Sequence, residues 1–214
     1  MRRKSVADQP CPVARCLERV GEWWNILIIR DALHGLSRFD QFQRSLGVAP
    51  NTLARRLRAL VDAGMLERRR YQERPPRHEY LLTERGREFR TVLMALHAFG
   101  NRHYTPDGLS VALVDRLTGL VVEPVVVDAR TGRPLEGPDF VFVAGPAADD
   151  SVKRRLAFVA RRSPVFAAAA ESPDGPAAVP SVLARARSSE RESSAGAASG
   201  RTSAVRRGRS RRQD

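Results

Sequence analysis

The chain has 214 residues, which is enough for one domain with appendages or for two small domains. Its 37 Lys and Arg residues outnumber 24 acidic ones, and the resulting formal net charge of +13 favours an anionic partner. No apolar run approaches the roughly 20 residues that a bilayer span requires, and the polar start of the chain is unlike a secretory signal, so we expect neither a membrane protein nor an exported one.

Composition divides the chain into four parts. Residues 1–10 are polar and predict a disordered arm, whereas residues 11–105 are rich in Leu and Arg and have the pattern of a compact domain. Residues 106–162 contain short Val-rich runs, which predict a small β-rich extension with a helix over 149–162. Residues 163–214 are almost only Ala, Ser, Arg, Gly and Pro, so they bury too little apolar surface to fold and predict a disordered tail.

Apolar spacing predicts four helices in the first half of the compact region. The first helix begins at Pro12, and the next three cover residues 23–36, 38–46 and 50–62. Gly47 separates the last two helices and predicts a tight turn between them.

After Gly64 the hydrophobic period changes from that of a helix to that of a strand. We predict a first strand from Met65 to Tyr71, an irregular tip over 72–77 and a returning strand over 78–82. A helix over 84–104 follows, with Thr83 as its N-cap.

Two short helices joined across a Gly turn and followed by a basic hairpin predict a winged helix-turn-helix. The fold class is therefore mainly α with a small β wing, together with the small β extension and the disordered tail. In this arrangement the second helix of the pair, 50–62, enters the major groove of double-stranded DNA, whose width matches a helix.

The predicted DNA contacts lie on two surfaces. On helix 50–62, polar residues face away from the apolar Leu positions, and their types are those that read base edges, while Arg56 lies nearer the core and suits a phosphate. On the hairpin, basic residues crowd together and suit the DNA backbone and minor groove. The DNA-binding residues that we expect are Arg38, Asn51, Thr52, Arg55, Arg56, Arg58, Arg68, Arg69, Arg70, Arg74, Arg77 and His78.

Ordered motifs over residues 11–104 resemble the HxlR-type family of winged-helix regulators. They are Cys11-Pro12-Val13, Gly21-Glu22-Trp23-Trp24, Arg38-Phe39, Asp62-Ala63-Gly64, Arg74-Pro75-Pro76-Arg77-His78-Glu79-Tyr80 and Leu82-Thr83-Glu84-Arg85-Gly86. The resemblance implies a homodimer that reads a pseudo-palindromic operator. It also implies a dimer interface on the first and last helices, formed by Val13, Leu17, Val92, Leu93, Leu96 and Phe99. Ala49 departs from the family pattern, which has Ser there as a helix cap.

In some members of this family, a Cys at the position of Cys11 resembles a redox or electrophile switch. The start of a helix favours the thiolate, and Arg15 lies one turn further on, so we consider Cys11 a candidate redox sensor. The alternative is a small residue packed at the dimer seam without regulatory chemistry. Cys16 suits the core, and both cysteines suit a reducing compartment.

Residues 115–132 resemble a two-knuckle zinc ribbon that has lost its ligands. Asp115, Thr118, Asp128 and Thr131 stand where Cys or His would bind the metal, so we predict no metal site. These side chains can instead close turns by hydrogen bonding to the backbone. We expect the Val runs at 121–122 and 125–127 to pair as a small sheet that either packs on the winged helix or lengthens the dimer contact.

The function that these features predict is a sequence-specific DNA-binding transcriptional regulator, acting as a repressor, in the cytoplasm at the nucleoid. A non-specific architectural DNA-binding protein is the alternative. We do not expect an enzyme or a cofactor, since the sequence has no phosphate loop and no nucleophile elbow. An oxidant or small-molecule effector is left open, and the Arg-rich tail either adds non-specific DNA attraction or has no role.

Overall fold

The computed structural model describes residues 9–136 and 139–162. Most of the predicted N-terminal arm and the whole predicted tail over 163–214 lie outside these residues. None of the helices in the described part of the chain has the length and apolar character needed to cross a bilayer.

The region predicted to be compact folds as a winged helix, and the predicted fold class, mainly α with a small β wing, is confirmed. Its elements are α1 Pro12–Val20, α2 Trp23–Leu33, α3 Phe39–Leu46, α4 Pro50–Asp62, β1 Leu66–Gln72, β2 Arg77–Leu82, α5 Glu84–Glu88 and α6 Arg90–His103. Helix α4 has the predicted bounds. Helix α2 ends earlier than predicted, at Leu33, because the chain turns at Gly35 with a φ of 96°.

One hydrophobic core holds these elements together. Helix α2 contributes Ile28 and Ile29, and helix α3 contributes Phe42, all with no exposed surface. The core is completed from α4 to α6 by Leu53, Leu57, Leu60, Met65, Leu66, Phe89 and Leu93. Because α2 is apolar on several faces, it lies at the centre of the domain.

The single helix predicted over 84–104 is wrong, since the structure divides it into α5 and α6 at Phe89. Phe89 is buried in the core, and the short helix α5 lies close to the start of β1. A Cβ atom on Gly86 would come within 2.2 Å of the Met65 carbonyl oxygen, so the contact requires glycine. The predicted cap is confirmed, because the Thr83 hydroxyl accepts a hydrogen bond of 3.1 Å from the Gly86 amide.

The predicted pairing of residues 121–122 with 125–127 is wrong. Each Val run instead closes its own turn, through bridges of Val114 with Val121 and of Val127 with Pro134. Backbone hydrogen bonds within each turn bring the two flanks of that turn together. In the first turn, the Gly119 amide donates a 2.8 Å hydrogen bond to the Asp115 carbonyl.

Acidic and Thr side chains close both turns of the extension, as predicted. Asp115 Oδ1 accepts a 2.7 Å hydrogen bond from the Leu117 amide. In the second turn, Asp128 Oδ1 accepts a 3.2 Å bond from the Arg130 amide, and the Thr131 hydroxyl donates to Asp128 Oδ2. Hydrogen bonds therefore close the two turns, which bound zinc would hold in a zinc ribbon.

The predicted helix over 149–162 is present as α7, Asp150–Ala160. Asp149 caps it by accepting a 3.0 Å hydrogen bond from the Val152 amide.

Candidate nucleic-acid interface

The turn between α3 and α4 sets the direction in which α4 leaves the core. Gly47 ends α3 with a φ of 60°, a left-handed conformation that glycine adopts without a steric penalty. Pro50 then occupies the first turn of α4. Ala49 makes no side-chain cap, which agrees with its departure from the family pattern, and its carbonyl accepts the Leu53 amide at 3.0 Å.

The two faces of α4 differ sharply. Leu53, Leu57 and Leu60 are fully buried against the rest of the core. Asn51, Arg55 and Arg58 are exposed on the outside, and Thr52 at the flank is half-buried. Neither exposed Arg forms an ion pair with another described residue, so both guanidinium groups are available to a ligand.

Arg56 lies nearer the core than this exposed face, as its position on the helix predicts. Its guanidinium lies 3.0 Å from Glu22, and its side chain is only 18% exposed. The Nε atom of Arg56 is buried without a hydrogen-bond partner among the described residues. Arg56 therefore ties α4 to the start of α2, and its contact with a phosphate stays a prediction.

The wing consists of β1 and β2 with a short third segment beside them. The antiparallel register pairs Leu66 with Leu82 and Arg69 with Glu79. Arg38 forms a bridge with Glu79, and the Tyr80 amide donates to the Ser37 carbonyl at 2.7 Å. The residues just before α3 are thus part of the wing, which fixes the hairpin to the helix-turn-helix.

The basic residues of the wing fall into two groups. Three of them meet partners within the hairpin: Arg69 lies 2.8 Å from Glu79, Arg70 lies 3.2 Å from Glu73, and Arg68 lies 3.0 Å from His78 Nδ1. Arg74 and Arg77 are exposed and form no ion pair with another described residue. Arg74 and Arg77, at the tip, therefore have unpaired positive charge, whereas carboxylates neutralise Arg69 and Arg70, and Arg68 contacts only an imidazole.

His78 lies between two of these arginines. Burial, and then the positive charges of Arg68 and Arg70, lower the pKa of His78 below its usual value. At neutral pH the ring is therefore uncharged, and its Nδ1 can accept the hydrogen bond from Arg68.

Sequence reasoning missed two contributors to this surface. The ring of Tyr71 lies under the Arg38 guanidinium, with 4.5 Å from Cζ to the ring centroid, which holds that arginine against the wing. Glu79 neutralises Arg69, and the alternation of a hairpin could have revealed this pair once its register was known. Tyr71 lies at an irregularity in the pairing, which no sequence pattern signalled.

Comparison with known proteins agrees with this geometry. The HxlR-like helix-turn-helix family matches residues 19–107, which include α2 to α6 and the wing. An uncharacterised HTH-type transcriptional regulator of Mycobacterium tuberculosis is 36% identical over 135 residues, which are 63% of this chain and 85% of that protein. The chain belongs to the HxlR-like helix-turn-helix family. It is thus a DNA-binding transcriptional regulator, a class of protein distinct from enzymes.

Two solved structures resemble more than the HxlR-like domain. A candidate transcription factor of Pseudomonas aeruginosa is 55% identical and covers 68% of this chain and 99% of its own, with a TM-score of 0.51. PA1607, also a candidate transcription factor, is 39% identical and covers 65% of this chain and 99% of its own, with a TM-score of 0.59. The first 107 residues are half of this chain, and both structures match more than half of it. The likeness therefore includes part of the extension.

Cys11 occupies the N-cap of α1 in the HxlR-like chain. The backbone amides of Ala14 and Val13, and to a smaller extent the charge of Arg155, lower the pKa of its thiol, against an opposing effect of burial. Arg15, which we expected to act on the thiol, instead donates a 3.1 Å hydrogen bond to the Gln9 carbonyl. Cys16 is exposed rather than in the core, which corrects its expected placement.

Apolar side chains on α1 and α6 remain uncovered in the single chain. Val13 and Leu17 of α1, and Val92, Leu96 and Phe99 of α6, are each between 44% and 64% exposed. Leu93 was expected among them but is only 9% exposed, because it points into the core of its own chain. We call the five exposed residues the α1–α6 apolar face.

The two helices of this face are neighbours. Val20 of α1 and Val92 of α6 line the same open groove of about 560 Å³, together with Cys16 and Phe89.

Within the described residues, no group of three or more His, Cys, Asp or Glu side chains could hold a metal ion. The extension contains Asp115 and Asp128, each of which uses its carboxylate to close its own turn.

Proposed function

We propose that this HxlR-like regulator binds a pseudo-palindromic operator as a homodimer and represses transcription by occupying it. The observation that carries the proposal is the polar face of α4, where exposed Asn51, Arg55 and Arg58 lie opposite fully buried Leu residues. A helix that is anchored on one side and offers donors and acceptors on the other is suited to the major groove.

The residues of α4 suit base edges, with different roles for each. Arg55 and Arg58 suit guanine because the guanidinium can donate two parallel hydrogen bonds, and Asn51 suits adenine. Thr52, at the flank, can contact a thymine methyl group or a phosphate. Because neither Arg is held by a carboxylate, binding DNA does not require an internal ion pair to break.

The wing suits the DNA backbone, and its tip suits it best. Arg74 and Arg77 have free guanidinium groups, so each phosphate contact adds attraction without loss of an internal partner. Arg38 is held between the wing and α3 and can reach the backbone beside the groove. Arg68, Arg69 and Arg70 already have partners within the hairpin, so we assign them a smaller share of the attraction.

A homodimer would cover the α1–α6 apolar face. Removing apolar surface from water is favourable by about 25 cal/mol for each Å², and this gain offsets the entropy that two chains lose on association. A two-fold arrangement uses the same face on both copies, so each α4 would meet one half-site of a symmetric operator.

Competition binding tests the proposal against the architectural alternative. The full chain is titrated with labelled DNA from upstream of its own gene, with random DNA as competitor. A specific regulator prefers one site by about 10³ or more over bulk DNA. Equal displacement by random DNA would instead support an architectural protein, and transcription from the bound promoter in vitro would decide between repression and activation.

We also propose Cys11 as an oxidant-sensitive residue. Amide groups at the start of α1 stabilise the thiolate, which is the reactive form of the side chain. Diamide is expected to weaken operator binding by the native chain and to leave the Cys11→Ser variant unchanged. Operator affinity that is the same with and without diamide would rule this role out.

A further inference from the structure

A cavity of about 350 Å³ lies between the second half of α6 and the first turn of the extension. Its walls are mainly apolar and come from the extension, with Leu109, Leu113 and Val122 among them. The α6 side contributes His97, Asn101 and Arg102. Pockets of this size, with mostly apolar walls and a few convergent polar groups, are typical of small-molecule sites.

Hydrogen bonds hold the two sides of the cavity together. His97 Nε2 lies 3.1 Å from the Val111 carbonyl oxygen, and Asn101 Nδ2 donates to the same oxygen at 3.2 Å. At the mouth of the cavity, Arg102 of α6 pairs with Glu123 of the extension at 2.6 Å. The extension is therefore attached to α6 by polar contacts that line the cavity.

The charged groups of the cavity favour an anionic ligand. Arg102 provides a guanidinium, and the only acidic residue in the lining is Glu123, which is already paired with it, while Glu136 acts on Arg102 from outside the lining by its charge alone. The two side chains are 49% and 63% exposed, so the pair meets water and can exchange partners at little cost. A ligand carboxylate can replace that of Glu123 on Arg102, and the exposed Glu123 carboxylate then turns to water.

We propose that this cavity binds a small organic acid, with its apolar body against Leu109, Leu113 and Val122 and its carboxylate on Arg102 in place of Glu123. The exchange removes one of the contacts that attach the extension to α6. Since α6 also contains Leu96 and Phe99 of the α1–α6 apolar face, binding would alter the dimer that the proposed function requires. Only this second, regulatory step rests on the proposed function.

Calorimetry on the full chain tests the binding step. The probes are phenylacetate and octanoate, each compared with its neutral amide, phenylacetamide and octanamide. We expect at least one acid to bind at least tenfold more tightly than its amide. Acids that bind no better than their amides, or that do not bind, would overturn the proposal.

Variants locate the site. Arg102→Gln is expected to remove the preference for the acid, and Glu123→Gln to strengthen acid binding, because the competing carboxylate is gone. Leu113→Trp should block the cavity. Arg44→Gln, which removes an exposed ion pair with Asp40 on α3, is the control and should bind like the native chain. Unchanged binding in Arg102→Gln and Leu113→Trp, with circular dichroism showing both folded, would contradict the site.

Operator titration with and without the acid then separates the two proposals. A chain that binds the acid and no operator contradicts the proposed function and leaves the cavity assignment intact. A chain that binds the operator with the same affinity in both conditions contradicts the regulatory step.

Discussion

The arginine residues of this protein differ in whether an acidic side chain already forms an ion pair with them. Arg55 extends from α4 without an ion pair to a described residue, whereas Arg69 on β1 lies 2.8 Å from Glu79. Arg56 is further inside, paired with Glu22 and mostly covered. A residue's local partner therefore decides whether its charge is free for a ligand, stabilises the wing or orients a helix.

Two arginine variants should separate base reading from phosphate contact. Arg55→Ala is expected to relax the preference at one base pair by about 1–3 kcal/mol, because a base-edge contact is lost. Arg77→Ala should weaken binding to all DNA sequences alike, because a phosphate contact is lost. The slope of log K against log salt concentration should fall in magnitude by about 1. Titrations of an operator panel at several salt concentrations measure both effects.

Arg69→Ala is the matched control for the wing. Its guanidinium is engaged by Glu79, so the variant should change the salt slope less than Arg77→Ala does. If the Arg55 and Arg77 variants gave the same pattern across the panel, this division of roles would be wrong.

At the scale of elements, single contacts hold neighbouring pieces of secondary structure in register. The pair of Glu22 and Arg56 joins residues 34 positions apart and ties α4 to the start of α2. Gly86 plays a similar part between α5 and β1, where the backbones approach too closely for a side chain.

Loss of the α2–α4 ion pair should destabilise the fold. Arg56→Ala is expected to lower the free energy of unfolding by about 1–2 kcal/mol, because Glu22 then loses a charged hydrogen bond that is only partly screened by water. Arg44→Ala removes an exposed pair on α3, for which about 0.5 kcal/mol or less is expected. Urea titrations of both variants compare these values, and equal losses would show that the half-buried pair has no special role.

Gly86→Ala should destabilise the domain by about 1–3 kcal/mol, since its new methyl group would overlap the Met65 carbonyl. Gly100→Ala in α6 is the control, because its Cβ would meet nothing within 4 Å. In a helix that change should stabilise by about 0.5–1 kcal/mol. Thermal or urea unfolding measures both, and an unaffected Gly86→Ala variant would contradict the close approach.

For the whole molecule, the sequence pattern predicts best where one physical signal dominates. The period of Leu53, Leu57 and Leu60 sets the bounds and the faces of α4, so its exposed residues were predictable. The pairing of Arg56 with Glu22 was not predictable, because the two residues lie 34 positions apart. The burial of Leu93 and the break of the helix at Phe89 also depend on how α6 packs against the core. A helical period alone does not specify this packing.

The extension was predicted less well for a related reason. Its Val runs are short and alike, so several pairings satisfy the pattern equally. The structure selects the local one, in which Asp115 and Asp128 organise their own turns. Many of its apolar residues are exposed, among them Leu117, Leu120 and Val121, so burial gave little guidance to register.

In the proposed complex, two copies of α4 enter successive grooves of one duplex. Ala54 is exposed on α4 beside Arg55, so an iron chelate attached to Ala54→Cys would cut DNA near the helix. The measurement uses a Cys11→Ser, Cys16→Ser background on operator DNA. We predict two symmetric clusters of cleavage about 10 bp apart or a multiple of that. A single cluster, or uniform cleavage, would contradict the account.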